Sequence, residues 1–152
     1  MQFLTQVIIS AGLAILTMGA AADGEPETRS IVEYCAYTGA NLTGDHWLGL
    51  YCRNDLTAVF GYNYSWIDLD LCVGNSGGQL IPYDSGNYSQ SCLNCDLSHE
   101  QKTLILTCHC DKIPSGRMTS SLDLNTAIYD DDGATGCFGH LGNKTLDNSH
   151  RL

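Results

Sequence analysis

The sequence contains the same pattern of cysteines and short apolar motifs twice, at a nearly constant spacing. The first copy runs Tyr34-Cys35, Leu50-Tyr51-Cys52, Ile67-Asp68-Leu69-Asp70 and Gly77-Gly78, and the second runs Ser91-Cys92, Leu106-Thr107-Cys108-His109-Cys110, Leu122-Asp123-Leu124-Asn125 and Asp132-Gly133. A fixed period indicates a repeat architecture, but stacked repeats usually need roughly three or more copies to bury a continuous core. The pattern therefore predicts one pseudo-symmetric domain in which each copy completes the other, with one related binding site in each half.

The N-terminal segment Met1–Ala22 has the pattern of a secretory signal peptide. Its apolar stretch, Val7–Leu16, is shorter than the roughly 20 apolar residues of a membrane-spanning helix. The small residues Ala20-Ala21-Ala22 form an A-x-A cleavage site, so we expect cleavage before Asp23 and secretion of the mature chain to the extracellular space. The alternative is a membrane anchor, although no second apolar segment follows.

The mature chain, Asp23–Leu152, has the length of one small domain. We expect a leader over residues 23–29 and a domain over residues 30–140, with repeats at about 31–82 and 86–138. Residues Asn143–Leu152 are polar and lack apolar periodicity, so we expect a disordered tail over residues 141–152. The formal net charge is −10, which argues against nucleic acid as a partner because phosphate backbones repel an acidic protein.

All eight cysteines follow the signal segment, and an even number in a small exported chain indicates a disulfide framework. Equivalent positions in the two repeats predict the bridges Cys35–Cys52 and Cys92–Cys110. Residues that face each other across two antiparallel strands keep a constant sum of sequence numbers. The sums for Cys95–Cys108 and Cys92–Cys110 are nearly equal, so the bridge Cys95–Cys108 can lie beside the second bridge. Cys72–Cys137 follows by elimination.

The secondary structure is predicted to be all-β. Leu104–Thr107 is rich in β-favouring residues, and Tyr62–Ile67 alternates aromatic with polar side chains as a half-buried strand does. Three turn signals separate such runs, at Gly44-Asp45, Pro114-Ser115-Gly116 and Asp132-Gly133. Single helical turns are expected over Asp70–Asn75 and Asn125–Asp130, with Asn125 as an N-cap.

Several motifs resemble the cyanovirin-N homology domain, a family of lectins. They are Trp66-Ile67-Asp68-Leu69, Cys72-Val73-Gly74-Asn75, Gly78-Gln79-Leu80, Gly86-Asn87-Tyr88-Ser89-Gln90-Ser91-Cys92 and Ser121-Leu122-Asp123-Leu124-Asn125. The resemblance covers about Ser30 to Phe138. It implies a compact fold of two pseudo-symmetric halves, each with a three-stranded sheet from one repeat and a hairpin from the other. It also implies binding of mannose-rich oligosaccharides or glycoproteins, without catalysis, metal or cofactor.

The resemblance further implies one shallow sugar pocket at each end of the molecule. The middle pocket would consist of Asn75, Ser76, Gly77, Asn87, Gln90, Ser91, Asp111 and Lys112. The terminal pocket would consist of Glu33, Tyr34, Arg53, Asn54, Asp55, Asp130, Asp131 and Asp132. Amides, hydroxyls and carboxylates suit sugar hydroxyls, and a glycine-rich loop lets the backbone approach closely. The alternative is that these residues are solvated turn residues.

Two features depart from the family pattern. Gly77 stands where an acidic residue is common, so the middle pocket is expected to differ in strength or selectivity. Ala134–Cys137 lacks the apolar residue expected after the glycine, which predicts a poor last strand. Within the chain itself, the link from Cys52 to Ile67 is 15 residues against 12 in the second copy, so we expect a longer loop to cover or reshape the terminal pocket and make it the weaker of the two.

Three other kinds of site are compatible with parts of the sequence: a zinc site, a calcium site and a glycosidase active site. The thiols of Cys92, Cys95, Cys108 and Cys110 with His109 have the spacing of a zinc site, but exported thiols at such positions normally oxidise. Asp130–Asp132 has calcium-type ligands without EF-hand spacing. Asp68 and Asp123 are carboxylates for a glycosidase, but their equivalent places between apolar residues favour a structural role.

A secreted protein-interaction module that keeps the fold without binding sugar is the second hypothesis. It would use the acidic terminal face and exposed aromatics such as Trp47 and Tyr62. Four N-glycosylation sequons begin at Asn41, Asn63, Asn87 and Asn143, and a glycan on Asn87 would block the middle pocket. A monomer or a domain-swapped dimer is expected.

Overall fold

The computed structural model describes residues 29–54 and 61–145, and this part of the chain is almost entirely β-structure. In chain order the strands are β1 Arg29–Ser30, β2 Cys35–Thr43, β3 Trp47–Asn54, β4 Gly61–Asp68, β5 Val73–Ser76, β6 Gln79–Pro82, β7 Cys92–Glu100, β8 Thr103–Asp111, β9 Arg117–Asp123, β10 Tyr129–Asp131, β11 Ala134–Cys137, β12 His140–Leu141 and β13 Asn143–Thr145. The helices are α1 Ile31–Tyr34 and three 3₁₀ turns, η1 Leu69–Leu71, η2 Tyr88–Gln90 and η3 Leu124–Thr126. The predicted all-β class is confirmed.

Each repeat forms an antiparallel three-stranded sheet of its own. Strands β2, β3 and β4 pair in repeat one, and β7, β8 and β9 pair in repeat two. The registers correspond, because Cys35 lies opposite Cys52 as Cys92 lies opposite Cys110. Side chains alternate between the two faces of a strand, so one face of each sheet can supply core residues. In β8 the buried residues are Leu104, Leu106, Cys108 and Cys110.

Two hairpins are exchanged between the repeats. The hairpin β5–β6 of repeat one packs against β9, where the N–H of Leu80 donates to Ser120 Oγ at 2.9 Å. The hairpin β10–β11 of repeat two packs against β4, where the N–H of Thr135 donates to Ser65 Oγ at 2.9 Å. The two bonds are equivalent, because Ser120 follows Ser65 at the same spacing as Thr135 follows Leu80. This exchange confirms the two-half architecture that the resemblance implies.

Four disulfides join these elements, and they are the four pairs that the sequence predicts. Cys35–Cys52 and Cys92–Cys110 link the first two strands of each sheet, and Cys95–Cys108 also links β7 to β8. Cys72–Cys137 connects the residue before β5 with the end of β11, across the two repeats. All eight cysteines are therefore oxidised, which removes the thiolates that the zinc alternative requires.

The last strand of the exchanged hairpin, β11, is well buried despite its small residues. All four residues of Ala134–Cys137 are buried. The hydroxyl of Thr135 lies 3.0 Å from Ser65 Oγ, so its polar atom has a partner inside the protein. The prediction of a poor strand is wrong, because small side chains allow the exchanged hairpin to lie close against the partner sheet.

The helical turns predicted over Asp70–Asn75 and Asn125–Asp130 begin earlier and are shorter. The N-caps of η1 and η3 are Asp68 and Asp123, and each carboxylate accepts the backbone N–H two residues later at 3.0 Å. The predicted N-cap Asn125 is therefore wrong. The residues after each turn form β5 and β10 because hairpin pairing supplies their hydrogen bonds.

The domain continues beyond its predicted end. Asn143–Thr145 forms β13, which pairs with β4 so that Asn143 lies opposite Trp66 and Thr145 opposite Tyr64. The Thr145 hydroxyl also donates to the carbonyl oxygen of Tyr64 at 3.1 Å. The predicted disordered tail is therefore wrong for residues 141–145, because an edge strand held by backbone pairing needs no apolar alternation. The predicted signal peptide, most of the leader and residues 146–152 lie outside the described residues.

Replacing the cap of η3 should destabilise the protein. We expect Asp123→Ala to lower the free energy of unfolding by about 1–2 kcal/mol, because the N–H of Asn125 loses its partner. Asp96→Ala on the exposed face of β7 is the control and should change it by less than about 0.5 kcal/mol. Urea unfolding at pH 7 measures both, and equal effects of the two substitutions would rule out the capping role.

Candidate functional site

The middle pocket is organised by the side chain of Asn75, in the β5–β6 hairpin. Its Nδ2 donates to Ser91 Oγ and to the carbonyl oxygen of Asp111, both at 3.0 Å. Its Oδ1 accepts the N–H of Gly78 at 2.7 Å. Both amide hydrogens of Asn75 are therefore used inside the protein. Asn75 braces the turn, η2 and the end of β8 against one another instead of offering its amide hydrogens to a ligand.

The segment between the repeats forms the second wall of the middle pocket. Asn87 adopts the left-handed conformation, with φ 49°, and its Nδ2 donates to the carbonyl oxygen of Ser85 at 2.7 Å. A single β-bridge joins Asn87 to Gly74 of β5. Gln90 is exposed, and its side chain has no hydrogen-bond partner within the described part of the chain. The Gln90 side chain, next in sequence to Ser91, is thus available to a ligand.

Charged groups form the third side of the middle pocket, after β8. The Asp111 carboxylate accepts from Arg117 Nε at 2.6 Å, and both side chains are about half exposed. Lys112 is exposed, and its backbone N–H bonds to the carbonyl oxygen of Gly116 at 2.9 Å. The turn residue Gly78 lies against Lys112 and Met118, close enough that a Cβ there would meet Met118 at 2.8 Å. The predicted residues of the middle pocket are therefore brought together.

A cavity of about 220 Å³ adjoins these residues. It is lined by Gly74, Asn75, Ser76, Ile81, Tyr83 and Gly86. Sequence reasoning missed Tyr83, whose side chain is 59% exposed and packs at its base over the bare backbone of Gly74. A large aromatic residue just before the polar turn Asp84-Ser85-Gly86 was the available signal.

The terminal pocket is built around Asp130, whose side chain is fully buried. Its Oδ1 accepts the N–H of Gly133 at 2.9 Å, and its Oδ2 lies 3.1 Å from the guanidinium of Arg29. The guanidinium carbon of Arg29 also lies 4.4 Å from the centre of the Tyr34 ring. Burial raises the pKa of Asp130 to about 6, although the Gly133 N–H and Arg29 both favour the ionised form.

Two other predicted residues of the terminal pocket lie close to this ion pair. Asp132 lies 3.9 Å from Arg29 and 3.6 Å from Lys144, and Asn54 lies against the turn residue Gly133. Glu33 and Arg53 are exposed, and Asp131 is half-buried. Asp55 lies outside the described residues. The structure therefore brings part of the predicted set together, around a side chain that was not predicted, Arg29.

A family model for the CVNH domain matches residues 35–136, about two thirds of the chain. The chain belongs to the CVNH family. No curated protein matches it.

Solved structures of CVNH proteins have the same fold. A designed cyanovirin-N homolog lectin has a TM-score of 0.60 and 20% identity, with coverage of 71% of this chain and 98% of the other. Microvirin, solved with mannobiose, has a TM-score of 0.58 and 18% identity, with coverage of 72% and 98%. A MoCVNH3 variant, solved with (N-GlcNAc)4, has a TM-score of 0.57 and 14% identity, with coverage of 69% and 94%. At these identities the likeness shows the fold.

Two groups in the described part of this CVNH chain place potential metal ligands within 4.8 Å of one another. The first combines Asp130 with the sulfurs of Cys35 and Cys52, which are bonded to each other. The second consists of His46, Asp68 and Asp70. Its members already have protein partners: the two carboxylates accept from the backbone of η1 and from Ser89, and His46 Nδ1 lies 2.6 Å from the carbonyl oxygen of Gly44. These contacts account for both groups structurally.

Two alternatives for carboxylates remain, a calcium site and a glycosidase pair, and both sets of carboxylates have structural partners within the protein. The calcium ligands suggested over Asp130–Asp132 already face cationic side chains, Arg29 and Lys144. Asp68 and Asp123 each cap a different 3₁₀ turn, as the equivalence of the two repeats predicts. No helix within the described residues is both long and apolar enough to cross a membrane.

Proposed function

We propose that this CVNH chain is a carbohydrate-binding lectin and that its binding site is the middle pocket. The observation that carries the proposal is the brace formed by Asn75, Ser91 and Asp111 beside a cavity of about 220 Å³. The brace holds three chain segments in place before a ligand arrives. A preorganised site loses less conformational entropy on binding, which favours the binding of a flexible, polar ligand.

The chemistry around the cavity suits a pyranose. Gln90 and Lys112 carry exposed polar groups, and the turn Ser76-Gly77 presents backbone groups and a hydroxyl without burial. These groups supply both donors and acceptors for sugar hydroxyls. Tyr83 offers an exposed aromatic ring on which the C–H face of a sugar can pack. The cavity lining itself combines polar groups of Asn75 and Ser76 with the aromatic ring of Tyr83, which matches the two-faced character of a pyranose ring.

Mannose-rich oligosaccharides are the proposed ligands, bound without catalysis and without a metal ion. Microvirin, which shares the fold, was solved with mannobiose, and the MoCVNH3 variant with an N-acetylglucosamine oligomer. Chito-oligosaccharides are therefore the comparison ligand. We also propose that the protein is secreted after removal of the segment Met1–Ala22, since its eight cysteines suit an oxidising compartment.

Calorimetric titration of unglycosylated mature protein with oligomannose, with EDTA present, tests this function. We expect Tyr83→Ala/Gln90→Ala to lower the affinity at least tenfold, because Tyr83 lines the cavity, Gln90 is exposed next to Ser91 of the brace, and the double variant removes an apolar and a polar contact. Phe138→Ala is the matched control, since Phe138 is the counterpart of Tyr83 in the second repeat and is 50% exposed, outside the middle pocket. Unchanged affinity in the double variant would exclude this pocket.

A protein-interaction module is the second candidate, favoured by exposed apolar side chains near the ends of the two hairpins. Tyr83, Phe138 and Leu141 are each at least half exposed. Asp84 and His140, on the two segments concerned, are 3.0 Å apart, and this hydrogen bond lowers the pKa of Asp84. Absence of binding to every sugar on a glycan array, by the unglycosylated protein, would favour this candidate over the lectin.

A further inference from the structure

The two halves of the molecule can be compared residue by residue at their pockets. Asn75 and Asp130 are counterparts in the two repeats and have the same place in their hairpins. In both, Oδ1 accepts the N–H of the residue three positions later, at 2.7 and 2.9 Å. The other atom differs, because Nδ2 of Asn75 is a donor and Oδ2 of Asp130 is an acceptor. The carboxylate of Asp130 therefore cannot make the two bonds that brace the middle pocket.

A second difference between the repeats accompanies the difference between Asn75 and Asp130. Gly86 lines the cavity of the middle pocket, and its counterpart in the other half is Arg29. Arg29 precedes Gly86 by the same number of residues as Cys35 precedes Cys92. The pairing supports this correspondence, since Asn87 bridges to Gly74 as Ser30 pairs with Tyr129. Where one half has a glycine beside an open cavity, the other half has the longest cationic side chain. Its position is fixed by backbone pairing of β1 with β10.

The Arg29 side chain is only 15% exposed and has contacts with three residues of the terminal pocket. They are the ion pair with Asp130 at 3.1 Å, the longer contact with Asp132 at 3.9 Å and the cation–π contact with Tyr34 at 4.4 Å. Tyr34 is the counterpart of Ser91, which receives an amide hydrogen in the middle pocket. Arg29 thus supplies donors and positive charge where the other half has an amide and open space.

We propose that Arg29 closes the terminal pocket, so that the protein has one open sugar site and Arg29 with Asp130 sets the number of sites. The proposal rests on the proposed function, because it counts sugar sites. A sugar entering the terminal pocket would have to displace a guanidinium from a fully buried carboxylate, which would leave that charge without a partner. The middle pocket has no such occupant, since Gly86 stands in the place of Arg29.

The test is the stoichiometry of oligomannose binding by calorimetry. The variant Arg29→Gly/Asp130→Asn gives the terminal pocket the residues of the middle pocket at both positions. We expect one equivalent of sugar for the parent protein and two for this variant. Lys144→Ala is the matched control, because Lys144 contacts Asp132 but not Asp130, and it should leave the count at one. Two equivalents for the parent protein, or one for the folded variant, would overturn the proposal.

The same two substitutions in a variant with an impaired middle pocket distinguish a failure of the lectin function from a failure of the role proposed for Arg29. Tyr83→Ala/Gln90→Ala alone should lower the affinity at least tenfold, and adding Arg29→Gly/Asp130→Asn should restore binding of about one equivalent. No binding by the parent protein or by any variant means that the lectin function fails. Binding by the parent with none restored means that the function holds and the role of Arg29 fails. If the double exchange does not fold, Asp130→Asn alone is used, because it removes the charge that holds Arg29. Sugar-induced NMR shifts of the Tyr34 and Gly133 amides in this variant but not in the parent protein support the proposal, and their absence from the variant overturns it.

Discussion

Removal of the Cys72–Cys137 bridge, by replacing both cysteines with alanine, is expected to lower the free energy of unfolding by about 4 kcal/mol. This bridge spans 65 residues, whereas the other three span 13 to 18, and a longer closed loop restricts the unfolded chain more. It also ties together the two exchanged hairpins, which carry both candidate pockets. The loss is a large share of the roughly 5–15 kcal/mol that stabilises a typical domain.

The matched control is Cys95→Ala/Cys108→Ala, which removes a bridge between adjacent strands of one sheet. The chain-entropy model gives about 3 kcal/mol for a loop of this size. Urea unfolding at 25 °C, with the other bridges oxidised, measures both variants. If the Cys72–Cys137 variant is the more stable of the two, the bridge between the repeats does not dominate stability. Reduction of all four bridges should unfold the domain completely.

Gly86→Ala is expected to weaken sugar binding at least tenfold and to destabilise the fold. A Cβ at Gly86 would lie 2.5 Å from Gly74 Cα and 2.5 Å from the carbonyl oxygen of Val73. Both are backbone atoms, so no change of rotamer relieves the overlap, and such overpacking typically costs about 1–3 kcal/mol. The segment with Asn87 and Gln90 would have to move away from β5, which opens the middle pocket.

Gly44→Ala separates this effect from ordinary glycine strain. Gly44 has a positive φ, 60°, but a Cβ there would meet only the His46 ring at 3.7 Å, an ordinary contact distance. We expect a stability loss of about 1–2 kcal/mol from the left-handed backbone and no change in sugar affinity. Thermal unfolding and calorimetric titration of the two variants at the same temperature make the comparison. Full sugar affinity in folded Gly86→Ala would contradict the close-approach argument.

The disulfide framework was predictable because two repeats place cysteines at equivalent positions. Equivalent positions have equivalent strand neighbours, so Cys35 opposite Cys52 implies Cys92 opposite Cys110. The structural role of Asp68 and Asp123 was predictable for the same reason, since a carboxylate before a turn satisfies local N–H groups. Strand β13 was not predictable, because its bonds come from β4 and its own side chains carry no pattern.

The residues of the middle pocket were predicted as a group, but their roles were not. The turn with Asn75 was expected to offer backbone contacts to a sugar, and the structure adds that the Asn75 side chain braces the pocket through its bonds to Ser91 and Asp111. Whether a side-chain donor bonds to the protein or stays available to a ligand depends on how close the fold brings segments that are far apart in the sequence. Tyr83 escaped prediction for a related reason, because its position over Gly74 follows from the packing of the hairpin.

The sequence by itself determined the pseudo-symmetric fold and the bridges, because both follow from repeated local patterns, and the family resemblance predicts where the two pockets lie. Only the tertiary structure decided how the two pockets differ, because it places Arg29 beside Asp130. Arg29 and Asp130 lie at opposite ends of the domain sequence, and neither lies in a local motif that indicates an ion pair. Their pairing follows from the burial of Asp130, since a buried carboxylate needs a compensating charge and β1 places Arg29 beside it. Burial belongs to the folded molecule, so the sequence shows that these residues differ between the repeats but not that they form a buried ion pair.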